Sequence, residues 1–127
     1  MEVAVEGTRG DAHFEVGSDG GGSMCILAGD DAASYTSCGG GSEFETVAVQ
    51  TGAGIIVAGF VLPPAAGISL IFDGGPHQPV PLAPVRGRDD LAFGVIVAAR
   101  PALVEVVAVD DAGEVIMSHF PTIQPAP

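Results

Sequence analysis

The sequence contains no lysine, no asparagine and no tryptophan, and its only basic side chains are four arginines set against sixteen acidic residues. The resulting net charge of -12 repels phosphate backbones and anionic lipid heads, the reverse of a nucleic-acid-binding surface. Nucleic acid and anionic membrane surfaces are therefore not expected as partners, which leaves an unknown protein or a small ligand. No apolar run reaches the ~18 residues that a membrane-spanning helix needs, and no segment keeps a helical apolar period for three turns. Disorder is excluded as well, because 47% of the residues are hydrophobic and only 16% are charged.

What remains is the patterning of an all-β chain. Apolar residues recur with period two or in short β-branched runs, broken by Gly, Pro and Asp clusters at the roughly 8–12-residue spacing of a sandwich or barrel. Strands are expected near Ala12 to Val16, Met24 to Ala28, Phe44 to Gln50, Gly54 to Val61, Ile68 to Asp73, Gln78 to Val85, Leu91 to Ala99, Leu103 to Asp110 and Glu114 to Phe120. The pattern predicts an antiparallel β-sandwich of about eight or nine short strands, occupying residues 7–120 as one domain, with 121–127 as a Pro-rich tail.

The turns have chemical causes. Asp111-Ala112-Gly113 between two valine-rich runs fits a three-residue hairpin with a left-handed glycine. Pro79, Pro81 and Pro84 remove three backbone donors from one segment, which can then be only an edge strand or an extended polyproline-like run.

Cys25 and Cys38 are the only cysteines, separated by twelve residues rich in Asp, Ala, Ser and Gly. In a β-protein this puts one thiol on a strand and the other at the loop's return, within bridging reach. A disulfide there would stabilise the fold by roughly 3 kcal/mol in the chain-entropy model. Two free thiols in a reducing compartment and a zinc site are the alternatives; no CxxC pair or close histidine pair accompanies the cysteines. The first residues carry Glu2 and Glu6 and lack the layout of a secretory signal, so the chain reads as cytoplasmic or as an excised mature domain, and the cysteines favour excision.

Nothing in the pattern commits to catalysis. His13, His77 and His119 are far apart, the serines at 18, 23, 34 and 37 sit in polar turns without a nucleophile elbow, and no phosphate-binding loop or cofactor motif is present. The expectation is a non-enzyme with no cofactor and no metal. The acidic doublets Asp30-Asp31, Asp89-Asp90 and Asp110-Asp111 could gather hard oxygens for calcium, but without EF-hand or nonapeptide spacing they read as solvated turns. Arg9-Gly10-Asp11 spells the integrin tripeptide, a match short enough to arise by chance. If the domain binds something, its loops are the expected surface: Gly29 to Ser37 with Asp30, Asp31 and Tyr35, then Arg86 to Asp90 with Arg86, Arg88, Asp89 and Asp90.

Three stretches in order carry a resemblance: Met24-Cys25-Ile26-Leu27-Ala28-Gly29 followed by Ser37-Cys38-Gly39, then Val57 to Pro63 with Ile68 to Gly74, then Phe93 to Val97 through Val109 to Gly113. The chain resembles the small extracytoplasmic β-domains of actinobacteria carried by membrane-anchored or secreted proteins. That resemblance implies an oxidised disulfide and an external location, and brings no catalytic residues. The leading expectation is a non-catalytic extracytoplasmic sensing, binding or spacer module, monomeric or weakly oligomeric. A structural or assembly protein such as a phage or cell-surface component, pairing through β-edges, is the alternative, with a hydrolase behind both.

Overall fold

Short apolar segments bounded by Gly, Pro and Asp form strands, and among the described residues nothing else: the computed structural model describes residues 1–39 and 42–125 and contains no helix there. The strands are β1 (Glu2–Arg9), β2 (Ala12–Ser18), β3 (Met24–Gly29), β4 (Ser34–Gly39), β5 (Phe44–Thr51), β6 (Gly54–Val61) and β7 (Gly67–Phe72). They continue as β8 (His77–Val80), β9 (Ala83–Pro84), β10 (Leu91–Val97), β11 (Leu103–Val109), β12 (Val115–His119) and β13 (Ile123–Pro125). Three sheets result: an N-terminal meander β1-β2-β3-β4, a central sheet β13-β5-β6-β10-β9 and an outer sheet β12-β11-β7-β8. All pairings are antiparallel except that of β13 with β5.

The architecture is the expected antiparallel sandwich with one disulfide, but with thirteen strands and a third layer. The central sheet is buried on both faces, and β6 shows this best, since all eight of its residues are buried. Its Ile55, Val57 and Val61 join Ile68, Leu70, Phe72, Leu103 and Val106 of the outer sheet in one core. The alternate residues Ile56, Ala58 and Phe60 join Phe14, Val16, Met24 and Ile26 of the meander in a second. A strand covered on both sides has no polar face to alternate with, hence the continuous run Ile55-Ile56-Val57-Ala58.

Central and outer sheets together follow an immunoglobulin-type strand order. Four strands β5-β6-β10-β9 correspond to A-B-E-D, and β11, β12 and β7 to F, G and C, with β8 beside C. The disulfide lies elsewhere, on the meander, which covers the outer face of the A-B-E-D layer. There Phe14 of β2 docks with its ring over two glycines, Gly7 on β1 and Gly94 on β10, where an added Cβ would overlap the ring. With Ala12, Ala28, Ala58 and Ala92 in the same core, small side chains let these two sheets approach closely.

Cys25 and Cys38 are bonded and stand directly opposite each other on β3 and β4. The pair Asp30 and Ala33 at the β3–β4 turn, five positions along the same register, is hydrogen-bonded, so alternation makes Cys25 and Cys38 a non-hydrogen-bonded pair, the closer of the two kinds; their Cα atoms are 4.1 Å apart. The second cysteine is thus on a strand, not on a loop's return as the sequence suggested.

The proline-rich segment divides between two edges, as its missing donors require: β8 borders the outer sheet and β9 the central sheet, with Pro81 and Leu82 crossing between them. The hairpin at Asp111-Ala112-Gly113 forms as expected, with Gly113 left-handed at φ 81° and Asp110 N–H donating to the Glu114 carbonyl at 2.9 Å. Strands β1, β4 and β13 were not anticipated. The last of these lies within the segment read as a tail, of which 126 and 127 are outside the described residues.

Candidate functional site

In two of the three acidic doublets the first carboxylate is engaged by its own turn. Asp30 accepts hydrogen bonds from the N–H groups of Ala32 and Ala33 at 3.0 and 3.1 Å, and Asp110 from those of Ala112 and Glu114 at 2.9 and 3.0 Å. Asp19 does the same with Gly21 and Ser23, and these two N–H groups, Gly21 first, hold its carboxyl below its ordinary pKa. Short Asp side chains in such turns satisfy the backbone locally through one oxygen each. Among the described residues no three His, Cys, Asp or Glu side chains converge on a possible metal position.

The second expected loop is partly engaged as well. Arg88 donates through Nε to Asp90 Oδ1 at 2.9 Å and through a terminal nitrogen to the Gly22 carbonyl, tying the β9–β10 loop of the central sheet to the β2–β3 turn of the meander. Asp90 is only 7% exposed, so the pair is a partly buried latch, while Arg86 and Asp89 remain exposed. The structure does not bring the two expected loops together. β3 runs from Met24, opposite Ser18, to Gly29, opposite His13, so Asp30 and Asp31 lie at one end of the meander and the Gly22 turn with Arg88 at the other. Arg9-Gly10-Asp11 forms the exposed β1–β2 turn, with Gly10 at φ 59°.

Of the expected binding-loop residues, Tyr35 borders the polar cleft at the β5 edge. It sits half-buried on β4, facing the central sheet, and with Glu45, Thr46, Val47, His119 and Phe120 surrounds a polar concavity of about 520 Å³. The cleft lies over the edge of β5. Leu62 N–H donates to the Glu43 carbonyl, so alternation directs the groups of Glu45 and Val47 toward β6 and those of Phe44, Thr46, Ala48 and Gln50 to the outer edge. β13 pairs there only with Ala48–Gln50. The outward N–H and C=O groups of Phe44 and Thr46 have no backbone partner among the described residues.

The walls differ in chemistry. Tyr35 and the Glu45 carboxylate are on the meander side; His119 is on the other, its ring stacked on Phe44 with centroids 4.3 Å apart. The Thr46 hydroxyl is buried without a hydrogen-bond partner among the described residues, and Phe120 at the rim is 75% exposed. Both are unusual, because an orphaned buried hydroxyl costs about 1–3 kcal/mol and a bare aromatic gains nothing from the fold.

Sequence reading missed Glu45, Thr46, His119 and Phe120. One signal was available: Thr46 interrupts the inward series Phe44, Thr46, Ala48 of β5 with a polar residue. Compared with known proteins, the chain matches no protein-family model, no curated protein and no solved structure.

Proposed function

We propose that this domain is a non-catalytic extracytoplasmic binding module and that the β5-edge cleft is its binding surface. The observation that carries the reading is the cleft itself, where polar groups without partners and a bare aromatic ring surround one concavity on a rigid scaffold. The disulfide is consistent with an oxidising compartment, in line with the resemblance to actinobacterial extracytoplasmic domains, and no helix among the described residues is long and apolar enough to cross a membrane. The charge of -12 supports a partner that is neither nucleic acid nor an anionic membrane.

A hydrolytic role finds little support in the geometry. Ser118 and His119 are consecutive on β12 and so point to opposite faces, and the imidazole is packed on Phe44. Fractionation of cells expressing the native gene should recover the protein in the envelope or medium, with both cysteines resistant to alkylation until reduced. A wholly cytosolic protein with two alkylatable thiols would refute the external location. The assembly reading is kept by one observation, the unblocked edge of β4; light scattering at micromolar concentration separates the two, since a stable higher oligomer would favour assembly.

A further inference from the structure

Six strand edges bound the three sheets, and most are blocked. β1 carries a bulge between Val3 and Val5, β12 pairs with a bulge at Ile116, β8 contains Pro79, the two-residue β9 contains Pro84, and β13 contains Pro125. Bulges and prolines are the usual devices that keep a sheet edge from pairing with another chain. Among the described residues β4, the first half of β5 and the Phe93–Val97 stretch of β10 that β9 leaves unpaired have neither, and of these β4 and β5 border the same cleft.

We infer that the cleft takes an extended strand of a partner polypeptide, which adds to β5 at Phe44–Val47 beside the start of β13 and presents a basic side chain to Glu45. This rests on the binding-module reading and names its ligand class. Four residues of β5 offer roughly 13 Å of edge at about 3.3 Å per residue, room for a short strand only. The open N–H and C=O groups of Phe44 and Thr46 supply the ladder, as in other strand-addition modes. Glu45 gives charge selection, reinforced by the field of the acidic surface, and Phe120 offers an apolar contact at the rim. The same charge opposes a second copy of this chain as the occupant, since two bodies of net charge -12 repel.

The test uses the intact oxidised domain and an acetylated, amidated peptide, Val-Thr-Lys-Val-Thr-Val, followed by amide-resolved NMR titration. Saturable shifts should centre on Phe44, Glu45, Thr46, Val47 and Phe120. Exchanging the peptide's Lys for Glu should weaken binding at least fivefold, and N-methylation of alternate peptide amides should abolish it. Thr46→Pro removes an outward N–H not needed by β6 and should weaken binding about tenfold. A native amide spectrum of Thr46→Pro in the meander and outer sheet separates lost pairing from lost folding. Equal binding of the N-methylated peptide would overturn strand addition while leaving a binding cleft intact. Absence of shifts with every peptide at millimolar concentration would also overturn it, and the fractionation result would still decide the broader reading. Peptide-independent dimerisation through the cleft would replace the proposed partner with a second copy.

Discussion

Gly94→Ala is a single-methyl change whose cost is set by one aromatic ring. A Cβ at this position would overlap the Phe14 ring, which is also confined by Gly7 on β1 and belongs to the core between the meander and the central sheet. The ring cannot retreat without opening that interface, so the methyl acts as overpacking, worth about 1–3 kcal/mol. At roughly 3–5 °C per kcal/mol for a domain of this size, Tm should fall by about 3–15 °C. Phe14→Leu alone removes ring volume and should cost roughly 1–3 kcal/mol. In the double variant the smaller side chain accommodates the new methyl, so the two costs should fall short of additive by at least about 0.5 kcal/mol. Urea unfolding followed by circular dichroism measures all four corners of the cycle. An unchanged stability for Gly94→Ala, or strict additivity, would show that the ring does not fill this space in solution.

Arg88→Ala should lower stability by about 1–3 kcal/mol, because it strands the nearly buried Asp90 and frees the Gly22 carbonyl; a melt indistinguishable from the parent would refute the latch. Reducing Cys25–Cys38 should cost up to roughly 3 kcal/mol and raise hydrogen exchange first in β4, an edge strand held on one side only, whereas uniform loss of protection across all sheets would contradict that placement. The Asp19 carboxyl should titrate below the ordinary aspartate value in an NMR pH series. Since its folded pKa is depressed, the stability it contributes is present above the unfolded pKa of ~3.9 and disappears as pH falls through the folded value. An unshifted titration would mean that the Gly21 and Ser23 N–H bonds are not formed.

The legible parts of this fold were those where one force dominated. Valine-rich runs with an Asp-Ala-Gly turn between them can form little but the β11–β12 hairpin, and three prolines left the segment after His77 nowhere to lie except at sheet edges. β4 was hidden because an edge strand needs little apolar surface: only Tyr35 and Ser37 are half-buried, so Ser34 to Gly39 reads as loop. β1 alternates weakly, with Val3 exposed, and β13 is only three residues long and ends on Pro125. The cleft was out of reach for a different reason. Tyr35, Glu45, Thr46 and His119 come from three sheets, and no spacing along the chain encodes which edges stack above one another. Conversely, Asp30 and Asp90 looked free because acidic loop residues are usually solvated, while here the backbone and Arg88 claim them.

The uneven blocking of the strand edges also governs how the domain can propagate order. A fibril needs two complementary free edges on each unit, so that every addition leaves a new template behind. Here the flank opposite β4 and β5 is bounded by bulged β1, proline-bearing β8 and the two-residue β9, and only the short Phe93–Val97 stretch of β10 is left open there. Templates for further growth are therefore confined to short stretches. A chain with nearly half its residues apolar and thirteen strands among the described residues would otherwise be a hazard at high concentration; the distribution of its prolines and bulges leaves few places where the strand of a second chain can register.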